Sequence, residues 1–344
     1  MQFPYYIKYK TRLKYFILWG VWMDKYKVIV SAGLPTSIRN VAYRIAQANN
    51  WEYRPNPFSL RDWDYLVYVS DPRLDTLLVS QKLPADHVIV YLVSEGPIIT
   101  RMKNSLNRQR VVVPTEFVKK MAEIKGIKVE KVIPHGIEIP DKVKSVYEKN
   151  GYFYRAYYLD RKYPKYGLQA LDKFVKNYGS KDLDIYLVGT PFNRDYALQI
   201  LYPFMKVKNP IPLNEMKELY DNHLFYLNFS DAEGFGLTPL EAMSYGEIVI
   251  TSYYPAIRDY INVDCNIVVG IKGYWYERLD YEYILHAEYD SEDFYKAMEI
   301  AYEMSQKDRK TLEKMSNCNI EIAKKYNYLD IYREFAKMIE ELAR

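Results

Sequence analysis

The residues most suited to chemistry lie between Glu233 and Gly246, in the stretch EGFGLTPLEAMSYG. Two glycines, Gly234 and Gly236, allow the backbone to approach a ligand closely. They precede a predicted short helix, whose first amide groups and positive dipole end attract an anion. A carboxylate at Glu233, just outside that anion site, suits hydroxyl groups better than phosphates. Together these features favour the binding of a sugar diphosphate.

A structural interpretation explains part of the same stretch. Thr238 is a good N-cap for the helix, and Glu241 follows it three residues later, as in a capping box. Pro239 suits the first helical turn, and Gly246 suits the end of the helix. Under this interpretation Glu241 only caps a helix, but the glycines before Thr238 have no explanation.

The elements that must position this stretch are short apolar runs that alternate with helical patterns. Continuous β-branched runs between amphipathic helices indicate an α/β fold of parallel strands covered on both faces. The pattern restarts after a polar stretch at residues 141–151, which predicts two doubly wound domains, 1–150 and 151–325, followed by a helix at 326–344. Strands are predicted at residues 28–30, 65–69, 88–93, 111–113, 132–133, 152–158, 183–188, 224–229, 248–251 and 267–269.

The glutamate stretch resembles the E-x7-E signature of family-4 (group 1) glycosyltransferases, which are retaining enzymes of the GT-B architecture. Glu233 and Glu241 match the two glutamates of that signature. The similarity extends over residues 26–344, with a specific match in the second half and a topological match in the first. It implies two Rossmann-like domains that face each other across a cleft, with C-terminal helices that pack back toward the N-terminal domain.

The resemblance also implies which residues bind the donor. Glu241 matches the residue that hydrogen-bonds the ribose of a nucleotide donor, and Glu233 matches the residue that contacts hydroxyls of the donor sugar. The glycine after the first strand and the glycine after residues 183–188 occupy further donor-facing positions. The predicted donor-binding residues are Gly234, Phe235, Gly236, Leu237, Thr238, Glu241, Gly33 and Gly189.

The family places an arginine and a lysine on the diphosphate, in the loop after the first strand of the second domain. This chain departs from the family pattern there, and Arg161 and Lys165 are the predicted pair, with Arg155 and Lys162 as rivals. Cations already oriented on the diphosphate stabilise its developing negative charge. With Glu233 they form the predicted catalytic set, and the alternative for each cation is a solvated position in the loop.

Two residues are predicted on the acceptor side of the cleft. Glu95 follows the fourth strand of the first domain, and His135 stands where the family usually has asparagine. The structural alternatives are that Glu95 is an ordinary loop carboxylate and that His135 is a packed histidine without a role in binding. GT-B enzymes generally bind the diphosphate with cations and amides, so we expect no metal and no cofactor beyond the donor, although Asp71 and Asp75 are close in sequence.

The net charge of +4 conceals an uneven distribution. Residues 1–150 hold 24 basic and 14 acidic side chains, whereas residues 151–344 hold 24 basic and 30 acidic ones. Within residues 101–131, nine are Lys or Arg and three are Glu. These basic residues favour a lipid-linked or otherwise anionic acceptor, which the enzyme would reach at an anionic membrane surface. The alternative is a lysine-rich helix face that is only solvated.

The predicted function is therefore the retaining transfer of a sugar from a UDP-, GDP- or other nucleotide diphospho-sugar to a lipid- or glycan-linked acceptor. One alternative is an inactive GT-B-like protein that binds a nucleotide or glycan, because the basic loop is irregular. Another is a glycosyltransferase that modifies nucleic acid. No nucleic-acid partner is favoured, since the chain has no known nucleic-acid-binding motif.

The cysteines and the first residues bear on location. Cys265 and Cys318 are too few and too far apart in sequence for a disulfide framework, which favours a reducing cytoplasm. The apolar run at residues 15–23 is shorter than the roughly 20 residues that cross a bilayer. Three interpretations of residues 1–25 are open. The segment is an extra strand or amphipathic segment of the first domain, or it contacts a membrane surface, or it results from translation that starts upstream of the true start at Met23. We expect a cytoplasmic enzyme that is peripheral to the membrane face.

Overall fold

The computed structural model describes residues 26–33, 36–58, 62–156, 161–188, 202–208 and 211–344. The N-terminal segment 1–25 and Gly189, one of the predicted donor-binding residues, lie outside this part of the chain. So do residues 157–160, which form the first part of the predicted basic loop.

The first domain is built on a parallel sheet in the order β2-β1-β3-β4-β5-β6. Its strands β1 and β4 are buried along their whole length, because helices cover both faces. This burial explains the continuous apolar runs in the sequence. The strands are β1 (Val28–Ala32), β2 (Glu52–Tyr53), β3 (Tyr65–Ser70), β4 (Val88–Leu92), β5 (Arg110–Val113) and β6 (Val129–Val132), and the helices are α1 (Thr36–Asn49), α2 (Leu74–Lys82), α3 (Thr100–Leu106) and α4 (Glu116–Ile124).

The second domain has a parallel sheet in the order β12-β11-β10-β7-β8-β9. Its strands are β7 (Tyr152–Ala156), β8 (Leu183–Leu187), β9 (Lys206–Val207), β10 (Phe225–Asn228), β11 (Ile248–Ser252) and β12 (Ile267–Val269), and its described helices are α5 (Lys165–Tyr178), α6 (Leu213–Asn222) and α7 (Leu237–Ser244). The strand order reverses between β7 and β10, so the loops after these two strands meet at a topological switch point. Open α/β sheets bind ligands at such a point.

The last two C-terminal helices pack back onto the first domain, as predicted. Phe335, Met338 and Ile339 share a core cluster with Ile38 and Ile45 of α1. The C-terminal helices are α8 (Ser291–Lys307), α9 (Arg309–Lys324), α10 (Tyr328–Ile331) and α11 (Arg333–Leu342); α8 and α9 pack on the second domain, and α10 and α11 contact α1. None of the helices in the described part of the chain is long and apolar enough to span a membrane.

A β-hairpin that the sequence analysis did not predict lies between β12 and α8. Its strands are β13 (Ile271–Arg278) and β14 (Tyr283–Tyr289), which pair antiparallel. The second edge of β14 contacts both domains: the backbone N–H of Leu285 donates to the carbonyl of Glu95 at 3.0 Å, and that of Ala287 donates to the carbonyl of Asp231 at 2.9 Å. The hairpin therefore connects the two halves of the cleft.

The two cysteines form a disulfide, which corrects our interpretation of them. Cys265 lies just before β12 and Cys318 lies in α9, with their Cα atoms 6.0 Å apart. The packing of α9 against this end of the sheet brings together residues separated by 53 positions. The cysteine content therefore no longer favours a reducing compartment.

Candidate functional site

The loop from β10 into α7 holds the first glutamate of the signature. Gly236 has a φ of +86°, which favours glycine, and Gly234 lies so close to the first domain that a Cβ there would be 2.8 Å from the carbonyl oxygen of Ser94. The side-chain hydroxyl of Thr115 donates to the carbonyl of Gly234 at 3.1 Å. Both glycines therefore have a structural reason, and they set the loop against the facing domain.

The capping box predicted for α7 is wrong. Gly236, and not Thr238, is the N-cap residue, and no side chain caps the helix. Glu241 instead accepts hydrogen bonds from the guanidinium of Arg155 at 3.0 Å and from the hydroxyl of Tyr220 at 3.2 Å. The positive φ at Gly236 lets the helix begin earlier than expected, and this places Glu241 too far along it to act as a cap.

Three carboxylates of the cleft are each paired with a cation. Glu95 of the first domain forms an ion pair with Arg161, with 2.6 Å between Oε1 and Nη2. Glu233 forms an ion pair with Lys162. Glu241 pairs with Arg155. Two of these cations, Arg161 and Lys162, belong to the loop after β7, which confirms that this loop and the glutamate loop meet.

The third carboxylate has a second cationic neighbour, which the sequence analysis missed. Nη2 of Arg44, on α1 of the first domain, lies 3.7 Å from Oε1 of Glu241. Its Nη1 also donates to the carbonyl of Gly136 at 3.4 Å. Nothing in the sequence marks Arg44, because its role depends on how α1 faces the second domain.

The structure places Lys162, and not Lys165, among the site carboxylates. Lys165 is exposed in the first turn of α5, where it lines a shallow surface pocket with Lys272 and Asp290. Lys162 is instead held in the cleft, because its carbonyl accepts a hydrogen bond from the hydroxyl of Tyr154 at 2.7 Å. Of the two lysines weighed from the sequence, the geometry favours Lys162.

Burial lowers the pKa of the Lys162 ammonium well below its usual range, and the guanidinium of Arg161 repels the same charge. The carboxylates of Glu95 and Asp231 act in the opposite direction. Burial outweighs the attraction of these carboxylates, so the charged form of Lys162 is disfavoured in this pocket. A bound anion with more than one charge would raise its pKa and hold its proton.

The acceptor-side predictions have different outcomes. Glu95 reaches into the cleft through its pair with Arg161. His135 is buried, and its ring packs edge-on against Phe235 with 4.9 Å between the ring centroids. The hydroxyl of Tyr91 donates to the carbonyl of Ile133, so Nδ1 of His135 donates to that hydroxyl at 2.8 Å.

Burial lowers the pKa of His135 to about 3, so the ring is neutral at neutral pH. The ring is held by one hydrogen bond and by contacts with two aromatic rings, those of Tyr91 and Phe235. This agrees with the structural alternative of a packed histidine. The ring lies at the junction of the two domains, where it supports the position of Phe235 in the glutamate loop.

The second domain is similar in sequence to a known family. Residues 150–300 match the family model Glycosyl transferases group 1. Residues 150–300 therefore form a group 1 glycosyltransferase domain. The matched residues include the basic loop and both glutamates of the signature.

A curated relative shares sequence similarity with this chain, and two solved structures share its fold. The glycosyltransferase is 28% identical over 215 residues to "Putative glycosyltransferase 63" of Sulfolobus islandicus filamentous virus, a match that spans 57% of this chain and 73% of that protein. Its structure resembles that of Anabaena HepE in complex with UDP and glucose, with a TM-score of 0.68, 13% identity and coverage of 92% and 100% of the two chains. Sucrose-phosphate synthase of Thermosynechococcus elongatus has a TM-score of 0.64, 12% identity and coverage of 92% and 99%. The predicted GT-B fold is confirmed.

The remaining predicted positions lie at the edge of the first sheet. Gly33 follows β1, and a Cβ there would be 2.8 Å from Oδ2 of Asp75 and 2.9 Å from Oγ of Ser70. Asp71 forms an ion pair with Arg73 at 2.7 Å. Among the described residues, no group of three or more His, Cys, Asp or Glu side chains is arranged to hold a metal ion.

Asp231 is a buried residue of the glycosyltransferase that the sequence analysis missed. Its carboxylate accepts hydrogen bonds from Nδ1 of His286 at 2.8 Å and from the hydroxyl of Tyr166, and its backbone N–H donates to the carbonyl of Arg161 at 2.9 Å. It therefore fixes the hairpin and the basic loop against the glutamate loop. In the sequence, only its position two residues before Glu233 could have indicated that Asp231 belongs to the site.

Proposed function

We propose that the enzyme transfers a sugar from a nucleotide diphospho-sugar to an acceptor hydroxyl, with retention of the anomeric configuration. The observation that carries this proposal is the cluster of paired charges, Glu233 with Lys162 and Glu241 with Arg155, at the switch point of the second sheet. Anabaena HepE, which shares the fold, was solved with UDP and glucose. That neighbour supports a nucleotide-sugar donor for this chain.

The cations and the start of α7 have the charges that a diphosphate needs. Arg161 and Lys162 neutralise its negative charge, and the first amide groups of α7 donate to its oxygens. When the bond from the sugar carbon to the diphosphate oxygen breaks, these groups already face the developing charge and need no reorganisation. Glu241 accepts hydrogen bonds from the ribose, and Glu233 accepts them from hydroxyls of the donor sugar.

Retention follows from attack on the face that the diphosphate leaves. The acceptor oxygen forms its bond to the sugar carbon on that face, and the departing diphosphate oxygen takes the acceptor proton. No separate base is needed in this scheme. We propose that no metal is needed either, since cations and amides bind the diphosphate; EDTA should therefore leave the rate of nucleotide release unchanged, and a loss restored by Mg²⁺ would contradict this.

The proposed acceptor is lipid- or glycan-linked, at the cytoplasmic face of a membrane. The nine basic residues within 101–131 support this part of the proposal. Some of them are paired within the protein, such as Arg110 with Glu130 at 2.9 Å and Lys131 with Glu334 at 2.7 Å. Co-sedimentation with liposomes tests it, and equal sedimentation with neutral and anionic lipid would contradict a membrane contact.

A donor panel tests the central proposal. UDP- and GDP-sugars are first screened by thermal shift and calorimetry, and each binder is then assayed for nucleotide release. Binding with release supports a transferase. Binding without release, with every acceptor offered, would favour the alternative of an inactive nucleotide-binding protein, and no binding would contradict both.

A further inference from the structure

The ion pair between Glu95 and Arg161 joins the two domains across the cleft. Nη2 of Arg161 and Oε1 of Glu95 are 2.6 Å apart, and the two side chains are 19% and 17% exposed. A pair this sheltered is screened less than a surface pair, so each charge strongly affects what the other can bind.

The carboxylate of Glu95 is held in place by its backbone. The N–H of Glu95 donates to the carboxyl group of Glu282 at 3.0 Å, and its carbonyl accepts from the N–H of Leu285 at 3.0 Å. These two bonds fix the residue between the first domain and the hairpin. Glu95 therefore presents its charge to the cleft from a rigid position.

The guanidinium of Arg161 has donor capacity left over. Its backbone is fixed, since its carbonyl accepts from the N–H of Asp231. Its Nη1 is buried and has no hydrogen-bond partner among the described residues. A buried N–H group without a hydrogen-bond acceptor destabilises the protein. The free Nη1 therefore indicates that Arg161 binds an acceptor other than Glu95.

We propose that Glu95 is an internal competitor for the donor diphosphate. Before donor binds, its carboxylate holds the Arg161 guanidinium; when donor binds, the diphosphate takes over this cation and Glu95 is released into the cleft. A guanidinium fork binds carboxylate and phosphate oxygens with the same geometry, which makes the exchange direct. This inference rests on the proposed function, because it takes Arg161 as a ligand of the diphosphate.

The exchange has a direction that can be measured. The diphosphate carries more negative charge than one carboxylate, and it can also use the buried Nη1 of Arg161, so it displaces Glu95. The displacement costs part of the binding free energy, however. Removing the charge of Glu95 should therefore tighten the binding of a diphosphate, whereas the loss of an ordinary contact residue would weaken it.

The experiment is calorimetry of inorganic pyrophosphate binding to the full chain at constant ionic strength. Glu95→Gln should bind pyrophosphate about fivefold more tightly than the wild type, the size expected from one partly sheltered ion pair. Glu95→Asp, which withdraws the carboxylate by one methylene group, should have an intermediate effect and serves if Glu95→Gln lowers the melting temperature. Unchanged or weaker binding in both variants would overturn the inference.

Glu292→Gln is the matched control. It removes a carboxylate from a 2.6 Å pair with Lys173, outside the cleft, and should leave pyrophosphate affinity unchanged. An equal gain in the control would show a general effect of net charge and would also overturn the inference.

Arg161→Gln separates the exchange from the proposed function. If Arg161→Gln and Lys162→Gln bind pyrophosphate as the wild type does, the assignment of the diphosphate site fails. If both lose affinity but Glu95→Gln gains none, the site assignment stands and the exchange alone fails. In the Arg161→Gln background, the effect of Glu95→Gln should disappear, whereas a merely structural effect would persist.

Discussion

The two domains contribute to the cleft in different ways. The second domain supplies charged side chains at the ends of adjacent strands, and Lys162 and Arg155 pair there with the two glutamates of the signature. In the first domain, His135 is neutral and packed, and Glu95 is fixed by its backbone. The difference teaches that the paired cations in and after β7 are concentrated in the second domain, whereas the first domain contributes residues fixed by packing and backbone hydrogen bonds.

The largest effect should come from the lysine within the cleft. We expect Lys162→Ala to slow nucleotide release by about 10²- to 10³-fold, because it removes a charge oriented on the leaving group. Lys165→Ala, in the exposed first turn of α5, should change the rate much less. Single-turnover assays of both variants measure this contrast.

Lys173→Ala is the control for lysine removal, since Lys173 lies farther along α5 and pairs with Glu292. If Lys165→Ala is the more damaging of the two site variants, the loop takes a different path in the working enzyme. Lys165, and not Lys162, would then be the lysine that contacts the diphosphate.

The second effect separates ribose binding from diphosphate binding. Glu241→Ala should weaken the binding of UDP or GDP by about 10-fold or more, because hydrogen bonds to a charged group are lost. Its affinity for inorganic pyrophosphate, which has no ribose, should stay close to that of the wild type. Calorimetry with both ligands gives the two values, and equal losses for both would contradict a ribose role.

The third effect concerns the junction between the hairpin and the first domain. Burial, and then the nearby charge of Glu95, raises the pKa of Glu282 from 4.5 to about 8. The folded protein thus keeps a proton that the unfolded chain releases above pH 4.5. This contribution to stability is complete below pH 4.5 and is lost as the pH rises through about 8.

Glu282→Gln should therefore flatten the decline of the melting temperature between pH 5 and pH 8. One such group changes the free energy of unfolding by at most about 1.4 kcal/mol per pH unit. Glu288→Gln, at an exposed position on the following strand β14, is the control and should leave the decline unchanged. Parallel curves for wild type and Glu282→Gln would show that the carboxyl group does not carry the proton.

The smallest effect is expected at His135. Because its ring is neutral and packed, His135→Asn should change the rate of nucleotide release by less than about threefold and cost about 1 kcal/mol of stability for the altered hydrogen bond to Tyr91. The pH profile of the rate should keep its shape. A lost limb in that profile would make His135 a titrating group and would break the contrast between the domains.

Much of the glutamate loop and its setting could be predicted from the sequence because these features are local. The glutamate loop, its glycines and the following helix are contiguous, and parallel strands place successive loops at one edge of a sheet. The choice between Lys162 and Lys165 could not be made in this way, since it depends on the path of an irregular loop. The capping box at Thr238 was wrong for a related reason: a positive φ at Gly236 starts the helix before it.

The sequence by itself determined the two α/β domains, the signature with Glu233 and Glu241, and the basic loop that faces them. Only the tertiary structure decided that Arg44 approaches Glu241, that Glu95 pairs with Arg161, and that a hairpin joins the two halves. It also decided that Cys265 and Cys318 meet. Local propensity and strand order act over short stretches of chain, whereas these contacts join residues far apart in sequence, and their partners follow from how the domains pack.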